Sequence, residues 1–384
     1  MPKKTGKTKT ENVLTTPIES EIQKLEEGKF RFLFFVMDTK GIPNDTVEYI
    51  YQTAYRIKSM AYNVIMLHGE DEFVGVSSWM GEEYAKMTHM KISDGIKVSA
   101  SDFLIIPELY SNIMYKTEKL PCMRIVLLTN RSYMTDVIQP GATWSQYQIK
   151  DCVTMTSDLE KTVKTVFPDI RVSTVRPFIE KQFSEKDRNG RKLFVNLVTS
   201  SMSVTNRIVK EFFWRYPMLK WVAFRDIRGV GNETLSESFK ESPITVWVDE
   251  MADFGYSALK AMSAGNIIIG KVPDAEVEWL YDELGNIRYN GVWFTRYDEV
   301  YEVIAGVVTA FMDGEIPDDM YEEGYKTTDA YSEEAMDNAI KKVYIDGFVE
   351  DRKKVLKAAA EIMAKKAQEE KDNGEKETGE KDVQ

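Results

Sequence analysis

Short apolar runs alternate with amphipathic stretches along most of the chain. The run at residues 30–38 (FRFLFFVMD) predicts a buried strand, and residues 62–69 (YNVIMLHG) predict the next one. Between them, residues 45–60 carry apolar side chains at helical spacing, and Asp45 and Glu48 fit a capping box at the start of that helix. A strand, a helix and a second strand in this order are typical of an α/β unit with parallel strands.

The same alternation continues through the first half and starts again after a polar stretch at residues 181–192. Further strands are expected at residues 102–110, 123–130, 152–157, 192–199, 219–226, 244–250 and 266–272. Two consecutive α/β halves predict two Rossmann-like, doubly wound domains. Because ligands of such sheets lie beyond the carboxyl ends of the strands, we expect the site in a cleft between the two domains.

The pattern divides the chain into five segments. Residues 1–28 are expected to form a polar tail and a short helix, residues 29–180 the N-terminal Rossmann-like domain, and residues 190–330 the C-terminal one. Residues 331–366 are predicted to be helical and to include a helix that crosses between the domains. Residues 367–384 are low in complexity and mixed in charge, so we expect a disordered tail.

Composition and charge exclude several classes of function. The net charge of −12 argues against a general nucleic-acid-binding protein, which would need a basic face. No apolar run approaches the roughly 18 residues that span a membrane, and no charged-then-apolar leader opens the chain, so we expect a cytoplasmic protein. We also expect no metal site, because the cysteines and histidines are not at ligand spacing; they are Cys122, Cys152, His68 and His89.

One helix start in the second half has the chemistry of an anion site. Residues 253–270 (DFGYSALKAMSAGNIIIG) predict a turn, a helix led by Gly255, Tyr256 and Ser257, and a buried strand. Free backbone N–H groups and the helix dipole would favour a phosphate there, and plain packing of an α/β unit is the alternative. Positive charge for a phosphate at this helix start could come from Arg225, Arg207 or Lys260, with Arg228 as a further candidate. The alternative for Lys260 is a surface or interdomain lysine.

The order of elements and this stretch resemble the retaining nucleotide-sugar glycosyltransferases with two Rossmann-like domains, the GT-B architecture, over roughly residues 30–350. That family carries a stretch of the form E-G-F-G-x-P-x-x-E-A-M-A-x-G before a buried strand. Residues 252–265 (ADFGYSALKAMSAG) match its F-G, its A-M and its final G in register. The resemblance implies two domains facing each other across a cleft.

Two acids of the family motif are absent from this chain. In the family, the first acid contacts the transferred sugar and the second binds the nucleotide ribose. Ala252 and Lys260 stand in their registers, and Glu250 and Asp253 lie near the first position but are offset from it. The motif is therefore degenerate at the positions that carry charge in the family.

The resemblance implies transfer of a sugar from a nucleotide-sugar to an unknown acceptor, without a metal and with no cofactor beyond the nucleotide-sugar substrate. Gly255, Tyr256 and Ser257 would bind the donor diphosphate through backbone amides. An acceptor-side loop would be formed by Gly41, Asn130 and Arg131. The alternative, prompted by the missing acids, is a catalytically inactive glycosyltransferase-fold protein that serves as a binding or structural subunit.

Overall fold

The computed structural model of the chain describes residues 17–184, 186–249 and 253–379. Residues 1–16, which contain most of the expected N-terminal tail, and residues 380–384 lie outside the described residues, as do Glu250 and Ala252 of the motif. Two parallel β-sheets that are covered by helices form the described part of the chain.

The first sheet contains seven strands. They are β1 (Arg31–Phe35), β2 (Asn63–His68), β3 (Thr88–Lys91), β4 (Phe103–Pro107), β5 (Met123–Leu128), β6 (Asp151–Thr154) and β7 (Arg171–Thr174). All neighbours are parallel, in the spatial order β3-β2-β1-β4-β5-β6-β7. The central strand β4 is buried at every position because both of its faces are covered, as its unbroken apolar sequence FLIIP requires. The order of the strands reverses between β1 and β4, which is the switch point of a doubly wound sheet.

The second sheet contains five strands. They are β8 (Phe194–Thr199), β9 (Ala223–Asp226), β10 (Ile244–Val248), β11 (Ile267–Lys271) and β12 (Val292–Phe294). They are also parallel, in the order β12-β11-β10-β8-β9, with a switch point between β8 and β10. The predicted class, α/β with two Rossmann-like parallel sheets, is confirmed.

Twelve helices lie between and around the described strands. They are α1 (Ile18–Glu26), α2 (Asp45–Ser59), α3 (Ser111–Lys116), α4 (Arg131–Val137), α5 (Ser157–Val166), α6 (Met202–Arg215), α7 (Asn232–Glu241), α8 (Tyr256–Ser263), α9 (Val300–Asp313), α10 (Asp318–Asp329), α11 (Glu333–Ile340) and α12 (Glu350–Gly379). A π-helical stretch, Lys341–Val349, joins α11 to α12. No helix in the described part of the chain is long and apolar enough to cross a membrane.

The start of α2 differs from the predicted capping box by one residue. Asn44 is the N-cap, and its side-chain oxygen accepts a hydrogen bond from the backbone N–H of Val47 at 3.0 Å. Asp45 therefore lies inside the first turn, where its charge complements the helix dipole. Glu48 is freed from a capping role and points toward the second domain, where it forms an ion pair.

After α10 the chain returns to the first domain. The backbone N–H of Ile179, on the outward crossing, donates to the carbonyl of Tyr331, on the return crossing, at 2.8 Å. Beyond this point, Arg56 of α2 binds Asp337 of α11 with 2.7 Å between Nε and Oδ1. Tyr344 is fully buried with its ring centroid 5.9 Å from that of Phe32 in β1. Residues after the return crossing therefore complete the core of the first domain.

The last helix is longer than the sequence predicts. We expected disorder from residue 367, whereas α12 continues to Gly379. The stretch is rich in glutamate and lysine, which have high helix propensity, so a helix that starts on the domain surface can propagate along it. Its side chains from residues 361–369 are exposed.

Candidate active site in the interdomain cleft

A cleft of about 590 Å³ lies between the two sheets at the carboxyl ends of their strands. The first domain contributes residues 43–46 at the start of α2 and the residues that follow β5 and β6. The second domain contributes the end of β8 at Thr199, Asp249 after β10, and the start of α8 at Tyr256. The ends of β8 and β10 flank the switch point of the second sheet, which is where ligands of doubly wound sheets bind.

The turn into α8 is shaped by the contact between Gly255 and Trp247. Gly255 has φ +70°, in the left-handed region that glycine adopts most readily. A Cβ atom at this position would lie 2.5 Å from Cζ2 of Trp247, which also lines the cleft. Glycine is therefore required here by backbone conformation and by packing, whether or not a ligand binds. Plain packing of an α/β unit explains why Gly255 is a glycine, but it does not explain why the helix that follows has no side-chain cap among the described residues.

Among the described residues, no side chain caps the first turn of α8, which lies at the cleft. Its N-cap residue is Gly255, whose carbonyl accepts from the N–H groups of Ala258 and Leu259 at 3.1 and 3.3 Å. Tyr256 and Ser257 both line the cleft, and their N–H groups belong to the first turn, which has no partners inside the helix. The uncapped turn and the helix dipole together favour an anion at this point of the cleft.

The other helices that begin in the cleft are already capped. The side chain of Asn130 accepts from two N–H groups of α4, at 2.8 and 3.3 Å. The remaining N–H of that turn, on Arg131, donates to Oδ2 of Asp253 at 2.5 Å. Asn44 caps α2 in the same way. Among these helices of the described chain, α8 offers its donors to a ligand, whereas α2 and α4 use theirs internally or across the domain interface.

Of the candidate arginines, Arg228 lines the cleft and Arg225 does not. Arg228 follows β9 and is held by Asp226, with 3.2 Å between Nη2 and Oδ2. Arg225 lies within β9, and its guanidinium packs 4.6 Å from the ring centroid of Phe194 and binds Glu241 at 2.8 Å. The expected role of Arg225 at the donor is not supported by this position, because a side chain inside the strand runs along the sheet face instead of beyond its end.

Arg207 lies beside the cleft and not within it. It is one of the residues around an adjoining hollow that shares Ser200 with the cleft. Its Nε binds Glu211 at 2.9 Å, and its guanidinium lies 4.7 Å from the ring centroid of Tyr297. The expected set of donor-side cations is therefore not brought together, since α6 turns this arginine outward along its own exposed face.

Three carboxylates line the cleft opposite the start of α8 or beside it. Asp45 comes from the first domain, and Asp249 and Asp253 come from the second. Asp253 is buried, and burial raises the pKa of its carboxyl group. With Arg228 as the cation among the described lining residues, the charged side chains that line the cleft carry more negative than positive charge. Apart from Asp253, which directly precedes the glycine turn, no local pattern in the sequence indicated these acids.

Lys260 is placed at the domain interface and not in the cleft. It is 2% exposed, and Nζ donates to Oε1 of Glu48 at 2.5 Å and to Oδ1 of Asn232 at 3.1 Å. Burial alone would lower the pKa of Lys260, but Glu48 and Glu180 outweigh it and raise that pKa. Burial also raises the pKa of Glu180, to about 8. The interdomain alternative thus describes Lys260, whose ammonium pairs with the buried carboxylate of Glu48 and does not line the cleft.

A buried glutamate holds the loop on the first-domain side of the cleft. Oε1 of Glu108, directly after β4, accepts from the N–H and the hydroxyl of Thr129 and from the N–H of Asn130, at 3.0, 2.7 and 2.8 Å. Its other oxygen, Oε2, is buried without a hydrogen-bond partner. Burial raises the pKa of Glu108 to about 7. This residue was missed from the sequence, although an acid directly after an all-apolar strand is the signal that could have identified it.

Of the three expected acceptor-side residues, only Asn130 lines the cleft. Gly41 lies in a turn closed by a 3.0 Å bond from the N–H of Ile42 to the carbonyl of Thr39, and it is not among the residues that line the cleft. Asn130 lines the cleft, whereas Arg131 contributes its backbone to Asp253. In the described residues, no group of three or more His, Cys, Asp or Glu side chains is arranged to hold a metal ion.

Solved structures of glycosyltransferases share this fold. The sucrose-phosphate synthase from Thermosynechococcus elongatus superposes with a TM-score of 0.57 at 8% identity, over 83% of this chain and 99% of that one. An alpha-glucosyltransferase in complex with UDP and a 13-mer DNA gives 0.56 at 10% identity, over 81% and 99%. The lipopolysaccharide outer core galactosyltransferase WaaB gives 0.55 at 11% identity, over 82% and 99%. At such low identity these likenesses show the fold alone, which is the two-domain GT-B arrangement.

Sequence comparisons add nothing to the structural likeness. No protein-family model matches the chain, and no curated protein sequence is significantly similar to it. The pneumococcal O-GlcNAc transferase GtfA also matches in part, at 12% identity and a TM-score of 0.47 over 66% of this chain. This chain spans 57% of the length of that structure.

Proposed function

We propose that the chain is a glycosyltransferase that uses a nucleotide-sugar donor, bound in the cleft with its diphosphate at the start of α8. The observation that carries the proposal is the uncapped first turn of α8, at Tyr256 and Ser257, opening into a cleft at the switch point of the second sheet. The helix dipole would stabilise the diphosphate and the charge that develops as it leaves. Because an alpha-glucosyltransferase of the same fold was solved with UDP, UDP-sugars are the first donors to test.

The size and charge of the cleft are compatible with this donor. A volume of about 590 Å³ lies within the roughly 300–1,000 Å³ of small-molecule sites. Arg228 supplies positive charge beside α8, while Asp45 and Asp249 can accept hydrogen bonds from sugar or ribose hydroxyls but would repel a second anion. We propose that the diphosphate takes the α8 side and that hydroxyl groups take the acidic side.

The finer features rest on the resemblance to the retaining GT-B family. We propose that the anomeric configuration is retained, that no resident metal or cofactor is needed, that the acceptor enters from the side of Gly41 and Asn130, and that the protein acts in the cytoplasm. The identity of the acceptor is not part of the proposal. The missing family acids at Ala252 and Lys260 make it necessary to measure turnover as well as binding.

Titration calorimetry and thermal unfolding with UDP, GDP, ADP and their sugar derivatives test the proposal. A nucleotide at 100 times its dissociation constant should add about 2.7 kcal/mol to the free energy of unfolding. Slow release of UDP from a UDP-sugar in the absence of acceptor would establish catalysis. Binding without any release would favour the catalytically inactive subunit, and the absence of both heat and stabilisation would contradict the donor site.

A further inference from the structure

A second cavity, of about 710 Å³, lies at the opposite edge of the first sheet. It is formed where β5, β6 and β7 begin, and α12 closes one side of it with Arg352 and Val355. The donor cleft lies at the carboxyl ends of these strands, so the two sites are separated by the length of the sheet. None of the residues that line this cavity lines the cleft.

Two arginines in the wall of this cavity donate hydrogen bonds to backbone carbonyls and to no carboxylate among the described residues. Arg124 is 6% exposed, and the hydrogen bond found for it in the described structure runs from Nη1 to the carbonyl of Met114, at 3.2 Å. Arg352 donates through Nε to the carbonyl of Ala100 at 2.8 Å and through Nη2 to the carbonyl of Pro121. Neither arginine forms a salt bridge with any described residue. Burial lowers the pKa of both guanidinium groups, and the charges of Glu118 near Arg124 and of Glu21 near Arg352 offset only part of this effect.

Four other charges of the cavity are matched among themselves, whereas the carboxylates of Glu118 and Asp169 form no ion pair with a cation among the described residues. Arg171 binds Asp151 at 2.6 Å and also binds Asp351, so these three charges form one network. Asp351 binds Lys354 as well, at 3.3 Å. Lys150 is exposed and forms no ion pair within the described residues. Two further carboxylates, Glu118 and Asp169, accept hydrogen bonds from Gln148 and Ser145.

We propose that this cavity binds a multivalent oxyanion, a phosphorylated or polycarboxylate small molecule, between Arg124, Arg352 and Lys150. A guanidinium group has a planar fork of donors that matches an oxyanion in two parallel hydrogen bonds, and Arg124 and Arg352 use only part of theirs. A buried charge without a partner is costly, so an anion that supplies the counter-charge gains affinity from relieving that cost. Because Arg352 belongs to α12 and Arg124 to β5, the ligand would also attach the last helix to the sheet.

The test is stabilisation of the full chain by inorganic pyrophosphate and by citrate, measured by thermal unfolding and calorimetry at low ionic strength. Arg352→Gln should weaken binding of the effective anion by at least about tenfold, because one charge-assisted bond is lost. Lys353→Gln on the same helix is the matched control, because Lys353 binds Glu350 and does not line the cavity. Arg228→Gln in the donor cleft should leave this binding unchanged. Preference for pyrophosphate or for citrate assigns the ligand to the phosphate or the carboxylate class.

Arg124→Gln and Lys150→Gln should weaken the same binding, and Lys150→Gln provides an exposed substitution should the buried one fail to fold. The proposal is overturned if neither anion stabilises the protein at millimolar concentration. It is also overturned if stabilisation survives both Arg352→Gln and Lys150→Gln, or if only Arg228→Gln abolishes it, since the anion would then be in the cleft.

Discussion

Nζ of Lys260 in the second domain lies 2.5 Å from Oε1 of Glu48 in the first, and both side chains are almost completely buried. The amide of Asn232 donates to the same carboxylate oxygen at 3.0 Å. The pair therefore fixes α2 against α7 and α8 behind the cleft. A buried ion pair adds little net stability, but removal of one partner leaves an uncompensated charge.

Lys260→Met should destabilise the protein by about 3–5 kcal/mol, because Glu48 would stay buried without its cation. The double variant Lys260→Met with Glu48→Gln should recover much of this loss. Urea denaturation of the wild type, both single variants and the double variant gives the coupling energy. Lys240→Met, at an exposed lysine of α7, is the control. A change below about 0.5 kcal/mol for Lys260→Met would contradict the interdomain pair.

Gly255→Ala should destabilise the protein by more than Gly28→Ala does. Both glycines have φ +70°, so both substitutions carry a cost of about 1–2 kcal/mol for left-handed backbone. The new Cβ meets nothing within 4 Å at Gly28, whereas at Gly255 it would meet Trp247 at 2.5 Å. The steric part should add about 1–3 kcal/mol. Equal losses in chemical denaturation would show that Trp247 moves aside without cost.

Arg228→Gln should raise the dissociation constant for UDP by about 10- to 100-fold, the effect of losing one charge-assisted hydrogen bond. Arg225→Gln, only three positions earlier, should leave it unchanged because Arg225 lies outside the cleft. Titration calorimetry with UDP on the two variants, under the same conditions, measures both dissociation constants. Weaker binding in Arg225→Gln with unchanged binding in Arg228→Gln would move the diphosphate away from the start of α8.

Stability should fall as pH rises from about 4.5 to about 7, in part because of Glu108. Its pKa is raised from 4.5 to about 7 by burial, so within this window the folded state keeps a proton that the unfolded chain releases. The contribution to the slope approaches about 1.4 kcal/mol per pH unit and vanishes above the folded pKa. Glu108→Gln cannot titrate and should remove this part of the pH dependence. Parallel slopes for the two proteins in urea titrations between pH 5 and pH 8 would show that Glu108 is ionised throughout.

Deletion of residues 367–384 should change the free energy of unfolding by less than about 1 kcal/mol, since the side chains at 361–369, on both sides of the cut, are exposed. Deletion of everything after Ala330 should prevent folding of the first domain. It would remove Tyr344 and Phe348 from the core. Circular dichroism and urea denaturation separate the two results. A loss of several kcal/mol in the shorter deletion would show that the end of α12 docks on the body.

The fold could be predicted because its determinants are local in sequence. Strands such as β4 are unbroken apolar runs, and helix limits coincide with Gly28 and Gly265. The edge strand β3, with the sequence THMK, was missed because its side chains are at least partly exposed and carry no apolar pattern. The position of the cleft followed from topology alone, since parallel strands direct their carboxyl ends to one edge.

The residues within the cleft were harder to predict, because the direction in which a side chain points depends on tertiary structure. Arg225 and Arg228 are equivalent in the sequence, but the strand ends between them, and only Arg228 projects beyond the sheet. Lys260 was assigned to the helix start on sequence distance, whereas a carboxylate more than two hundred residues away determines where its ammonium lies. Glu108 and Asp45 are likewise surrounded by residues that are distant in the chain, so their roles could not be read from neighbouring positions.

The hydrogen bond between Ile179 and Tyr331 has a mechanical consequence. The chain passes between the domains twice, and this bond holds the two passages side by side. Two adjacent connections allow one domain to rotate against the other about a single line, and they resist relative translation and twist of the domains. Rotation about that line would have to break the buried pair of Lys260 with Glu48 and the bond from Arg131 to Asp253, which also join the domains. The paired crossings and these contacts therefore act together to hold the two walls of the cleft in place.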